Sequence, residues 1–196
     1  MKDKITYAAI SLYAKYGIKG VSMDRIAKSL NISKRTLYEN FDSKEELVTA
    51  VVKTSLGRLS EIIAGAGKQA RSPLESIVLI SLNVIDFQKT FCPAFHKNLT
   101  YYSDAYEYLS DQKESFYDRI LYLFGKGKES GIFLPEHNYD VIAGIFLTQF
   151  EDAQLDYQPS LIITFLRGIC TVKGLDELLY HYETYQETNI NHKIYS

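Results

Sequence analysis

A chain of 196 residues with a net charge of −2 can build one or two domains around a real core, and is too weakly charged overall to coat nucleic acid non-specifically. Its two cysteines, Cys92 and Cys170, lie far apart without metal-ligand spacing, and no disulfide framework is implied. The N-terminus has charges interspersed where a secretory signal needs an apolar stretch, and the longest strongly apolar run, 141–147, is too short to span a bilayer. The expectation is a soluble, cytoplasmic protein.

Charge is unevenly distributed. Residues 1–53 carry 10 Lys/Arg against 6 Asp/Glu, and the rest carries 12 against 18. A basic head on an acidic body suits a protein that meets DNA at one end. Within the head, residues 3–16 read as a helix with Ile5, Ala8, Ala9, Leu12 and Tyr16 on one stripe, closed by Gly17 in a left-handed conformation. Ser22 then caps a second helix whose stripe is Met23, Ile26, Ala27 and Leu30. Asn31-Ile32 makes the turn, and Ser33 caps a third, short helix that turns Leu37 and Phe41 inward. Lys34, Arg35, Thr36, Tyr38 and Glu39 are left facing outward, as a groove-reading helix requires. Ser43-Lys44-Glu45-Glu46 is a capping box that opens the next helix.

The run from Ser22 to Leu47, SMDRIAKSLNISKRTLYENFDSKEEL, resembles the DNA-binding segment of the TetR family of bacterial transcriptional regulators. The resemblance rests on Ile26-Ala27, Ser33-Lys34, Thr36-Leu37-Tyr38, Phe41 and Ser43 to Leu47, and extends back to Ile5. Arg35 and Asn40 stand where that family often carries a small residue and His or an aromatic, respectively. The resemblance implies an all-α protein of about nine helices: a helix-turn-helix DNA-binding domain over 1–47 and a helical ligand-binding and dimerisation domain over 48–196. Base reading is expected chiefly from Arg35, Thr36 and Lys34. Ser22, Ser33, Tyr38, Asn40 and Lys44 are expected to meet phosphates.

The body is read the same way. A long helix from Lys44 to about Gly67 places Leu47, Val48, Val51, Val52, Leu56, Leu59, Ile62 and Ile63 inside, and GAGKQARS (65–72) breaks it. Ser72-Pro73-Leu74-Glu75 starts a helix that ends near Cys92-Pro93. A shorter segment follows from Pro93, and then a helix from about Ser103 to Ser130, closed by Gly131. The stretches 139–156 and 160–182 read as two helices apolar nearly all round, which a second copy of the chain would cover. Phe146, Phe150, Phe165 and Ile169 are the expected interface residues. Aromatics crowd the region 87–124, and Phe87, Phe91, His96, Tyr101 and Phe116 are candidates to line a pocket for a small-molecule effector.

No catalytic or metal-binding set stands out. The four histidines have no ligand spacing, and the acids at Glu151, Asp152 and Asp156 suit a solvated helix end better than a metal. The expectation is a homodimeric, effector-responsive repressor on a near-palindromic double-stranded operator, with no cofactor and no enzymatic activity. The alternative is a helical ligand-binding or protein-interaction module that does not read DNA.

Overall fold

The computed structural model describes residues 1–150 and 158–180. The acidic run 151–156, His181, His192 and the polar end 187–196 lie outside them. Nine named helices follow in order: α1 (Lys2–Tyr16), α2 (Met23–Ser29), α3 (Lys34–Tyr38), α4 (Lys44–Gln69), α5 (Pro73–Thr90), α6 (Pro93–Leu99), α7 (Ser103–Glu129), α8 (Tyr139–Thr148) and α9 (Gln158–Arg167). Residues 172–180 are helical as well, and the described residues contain no strand. The fold is all-α.

Two compact units divide the chain: 1–62 with 86–115, and 63–85 with 116–196. In the first, the head's own apolar stripes are too few to seal a core. Ile5, Ala9 and Tyr13 of α1, Ile26 of α2, Leu37 and Phe41 meet Val48 and Val51 of α4. Phe91, Phe95 and Leu99 complete the same cluster, so α6 and its approach belong to the head's core. Phe91 and Phe95 stack with ring centroids 4.2 Å apart. The end of α1 and the turn after it are tied to this segment: Cys92 N–H donates to the Ala14 carbonyl at 2.8 Å, and Lys19 N–H to the Asn98 side chain, Oδ1, at 3.0 Å. Gly17 closes α1 with φ +69° and ψ 167°, an extended left-sided conformation in place of the compact left-handed one expected.

In the second unit Phe124 is fully buried among Phe133, Tyr139 and Phe146, with centroids 5.4–5.6 Å away. Gly127, one turn on from Phe124, leaves room for the Phe133 ring, which any Cβ there would strike. Asn138 caps α8, its Oδ1 accepting from the Asp140 and Val141 N–H groups.

Several expected boundaries move. α4 runs through Gly65 and Gly67 to Gln69, because a glycine within a supported helix costs only about 1 kcal/mol. Ile62, expected inside, is 51% exposed. The last stretch is interrupted at 168–171, where Leu134 N–H donates to Ile169 O and Thr171 N–H to Ile132 O, and Phe133 and Cys170 form an isolated antiparallel bridge. Phe146, Phe150 and Ile169, expected at an interface, are buried within the chain, and Phe165 is half-buried against Phe146. Their apolar neighbours on α8 that do reach the surface are Val141 and Ile145, 54% and 50% exposed.

Two buried weak acids make the second unit sensitive to alkali. Burial, then the charge of Glu177, pushes the Cys170 thiol from 9.0 to about 12. Burial first, with Cys170 and Glu136 adding to it, pushes the Tyr139 phenol from 10.0 to about 12. Below about pH 8 both are almost fully protonated whether the chain is folded or not. Above it the unfolded chain releases protons that the folded one retains, so stability falls from about pH 9 towards 12. The slope approaches roughly 1.4 kcal/mol per pH unit for each group. Urea midpoints at pH 8 and pH 10.5 should differ accordingly, and Cys170→Ala should flatten the lower part of that window. A midpoint unchanged to pH 10.5 would contradict the burial.

Candidate nucleic-acid interface

The head's outer face is built by two capped turns. Ser22 Oγ accepts from Arg25 N–H at 3.2 Å, satisfying an orphan donor of α2. Asn31 takes φ +53°, the left-handed turn that its short amide side chain tolerates. Ser33 Oγ accepts from Thr36 N–H at 3.0 Å and pairs with the Thr36 hydroxyl at 2.9 Å. Leu37 is fully buried and Phe41 nearly so, and these anchors hold α3 with its other side outward.

On that side Lys34, Arg35, Tyr38 and Glu39 are exposed, and Thr36 is half-exposed. Neither cation is unpaired. Lys34 Nζ meets Asp24 of α2 at 2.8 Å, and this hydrogen bond, with the carboxylate's charge, raises the lysine's pKa. Arg35 Nε donates to Glu39 Oε1 at 3.0 Å, one turn along the same face. Asn40 turns its amide back, Nδ2 donating to the Thr36 carbonyl at 2.8 Å, so that group serves the end of α3. Ser22, Ser33, Lys34, Arg35, Thr36 and Tyr38 thus share one outward surface.

Lys44 is placed differently from expectation. Its ammonium is half-buried and donates to the carbonyls of Ile18 and Val21, both at 2.7 Å. Desolvation lowers its pKa. This lysine ties the α1–α2 turn to the start of α4, and a phosphate contact would have to use its remaining N–H. The capping box forms with one change: Ser43 Oγ accepts from Glu46 N–H, while Glu46 Oε2 reaches past Ser43 to the Asp42 N–H. Lys44→Ala should therefore cost about 1–3 kcal/mol of stability through two lost charged hydrogen bonds. Comparing its melting with its affinity for arbitrary duplex separates this role from a phosphate contact. A variant as stable as the parent but weaker on all DNA would favour the phosphate contact.

Sequence reading gives Glu39 an outward place without a partner, and passes over Asp24 and Arg25. Asp24 pairs with Lys34 and Glu39 with Arg35. Arg25 lies over the Tyr16 ring at 3.9 Å with Nη1 on the Gly20 carbonyl at 3.4 Å. The Arg35–Glu39 pair has a visible i,i+4 signature, whereas ten residues and a turn separate Asp24 from Lys34.

The five aromatic candidates for an effector pocket do not converge. Phe91 is buried in the head's core, Phe87 is edge-on to it, and the His96 ring stands at 6.3 Å with Nε2 on the Gln88 carbonyl. Tyr101 is 64% exposed beneath the Lys19 ammonium, and Phe116 contacts Phe150 in the other unit. A polar cleft of about 320 Å³, lined by Thr49, Lys53, Asp104, Glu107, Tyr108 and Asp111, contains none of them.

The family described as bacterial regulatory proteins, tetR family, matches residues 5–51, the helices and turns that build this surface. Over these residues the chain is similar to the DNA-binding segment of that family. The biofilm operon icaADBC HTH-type negative transcriptional regulator IcaR of Staphylococcus aureus is 46% identical over 63 residues, 32% of this chain and 34% of that protein. Its Staphylococcus epidermidis counterpart is 49% identical over 47 residues, 24% of this chain and 25% of that one. The match thus spans 34% and 25% of the length of these two curated relatives. Among solved structures, a TetR-family transcriptional regulator from Marinobacter aquaeolei VT8 superposes with a TM-score of 0.73 at 18% identity, over 94% of this chain and 98% of its own. The ketosteroid transcriptional regulator KstR2 of Mycobacterium tuberculosis gives 0.66 at 18%, over 87% and 95%. Both share the TetR-type fold across nearly the whole chain.

Proposed function

We propose that this chain is a TetR-family, sequence-specific DNA-binding transcriptional regulator that acts as a repressor. The observation carrying the reading is the outward face of α3, with Lys34, Arg35 and Thr36 presented over the buried anchors Leu37 and Phe41. Such a face fits the major groove, where arginine or lysine meets guanine O6 and N7 and threonine can hydrogen-bond a base or touch a thymine methyl. The negative regulators named above support the sign of the effect. Functionally we divide the chain into a DNA-reading head of residues 1–47 and a body of residues 48–196.

Ser22, Ser33 and Tyr38 are assigned to phosphates. A homodimer would set two α3 helices into successive major grooves, about 34–36 Å apart or a multiple of that, and the operator would be a near-palindrome. A small molecule bound by the body would release the DNA only through its different affinities for two conformations, typically about 5–150-fold in coupling. No single helix among the described residues is long and apolar enough to cross a membrane.

Selection of bound duplexes from a random pool, followed by titration at several salt concentrations, tests the core of this reading. A near-palindromic consensus is expected, and Arg35→Ala should relax one position of each half-site by about 1–3 kcal/mol. A protein that binds every duplex alike, with Arg35→Ala changing affinity uniformly, would refute base reading. The rival module that does not read DNA predicts no selection at all.

A further inference from the structure

Arginine offers five N–H donors in a rigid planar fork, and how that fork is aimed decides what it can read. On α3 one donor is already committed. Arg35 Nε meets Glu39 Oε1 at 3.0 Å, with the arginine side chain 89% and the glutamate 56% exposed. As a contribution to stability, an exposed pair of this kind is small. Its geometric effect is larger. With Nε–H occupied, the side-on approach of the guanidinium is blocked, and the two terminal Nη groups remain as an end-on pair. Glu39 lies at the C-cap of α3, one turn beyond Arg35, and so shares the face that would meet the groove.

We propose that Glu39 is the positioning residue for Arg35: it fixes the guanidinium end-on for bidentate contact with guanine O6 and N7, and so determines specificity at that base pair. The proposal rests on the DNA-reading function above and adds to it a residue that touches no base. A carboxylate facing the duplex repels phosphates, so the same residue weakens binding to every sequence while sharpening the choice at one. Asp24, which holds Lys34 at 2.8 Å, repels in the same way but restrains a compact point charge with no fork to aim. It therefore provides the control for charge alone.

The test uses the full-length protein, the consensus duplex from the random-pool selection, and duplexes changed one base pair at a time. Arg35→Ala identifies the position that it reads, where the wild type should discriminate by about 5–150-fold. Glu39→Ala should reduce that ratio by roughly three- to tenfold, since rotamer freedom removed beforehand is restored to the arginine. It should also bind non-cognate duplex more tightly. Glu39→Gln keeps an acceptor for Nε–H and should preserve most of the ratio while losing the charge. Asp24→Asn should tighten binding to all duplexes and leave the ratio unchanged. Thermal melting confirms that each exposed-site variant is folded.

The proposal is overturned if Glu39→Ala leaves discrimination at the Arg35 position intact, or if Glu39→Gln loses as much as Glu39→Ala. A preference lost at a different base pair also overturns it, because Glu39 would then read a base itself. A wild type without any preferred duplex removes the DNA-reading function, and this inference with it; that outcome is distinct from the other three.

Discussion

Gly17→Ala should destabilise the protein by about 2–6 kcal/mol, in two separable parts. The first is backbone strain. At φ +69° and ψ 167° the residue occupies a region that is almost exclusively glycine's, and holding a side chain there costs about 1–3 kcal/mol. The second is collision. A Cβ on Gly17 would stand 2.8 Å from Ala94 Cβ and 3.2 Å from the Ala94 carbonyl carbon, closer than packed atoms sit. The turn cannot simply back away, because Gly17 N–H is bonded to Tyr13 O, and Lys19 and Cys92 tie the two segments together on either side. Overpacking of this kind typically costs about 1–3 kcal/mol. Ala94→Gly in the same chain should recover part of the second term and none of the first, a double-mutant cycle readable by urea denaturation. A fully stable Gly17→Ala would mean that the turn has another conformation available.

Phe124→Ala should cost about 3–5 kcal/mol, the range for deleting a large aromatic from a sealed core. Phe124 has no exposed surface, and its ring meets three others, Phe133, Tyr139 and Phe146, in edge-on and tilted arrangements. The cavity left behind is walled by rings on three sides, and ring positions fixed by a neighbouring glycine (Gly127) collapse poorly. For a chain of this length the melting temperature should drop by roughly 6–20 °C. Phe165→Ala, removing a half-buried ring in contact with Phe146, should cost clearly less. Equal costs for the two, or a loss below about 1 kcal/mol for Phe124, would show that this cluster is not the packing centre of its unit.

How much could be read before the structure varies with the range of the interaction. Ser22, Ser33, Asn31 and the Ser72-Pro73 start were legible because a cap or a turn is decided within four residues. The inward turn of Leu37 and Phe41 was legible because helical period decides it. The period says which side of a helix is apolar and is silent on what covers it. Phe91 reads like the wall of a pocket, yet with Phe95 it fills the head's core some 80 residues from α1. Phe146 looked like an interface residue for the same reason, and this chain buries it. Lys44 was read as a free cation because nothing local marks the carbonyls of Ile18 and Val21 as its partners. The break at 168–171 escaped notice because its cause, the pairing of Phe133 with Cys170, is an encounter between distant segments.

The participation of α6 in the head has a practical meaning for protein engineering. Anyone grafting this head onto a different helical body would naturally cut after residue 47 or somewhere along α4. Such a chimaera would leave behind Phe91, Phe95 and Leu99, and the Asn98 side chain that receives Lys19 N–H. The transplanted piece would carry its address for DNA and lose the wedge that keeps it in shape. A working exchange has to move residues 86–115 along with 1–62, as two splices, or else supply a host α6 that can pack as closely on Gly17 as Ala94 does.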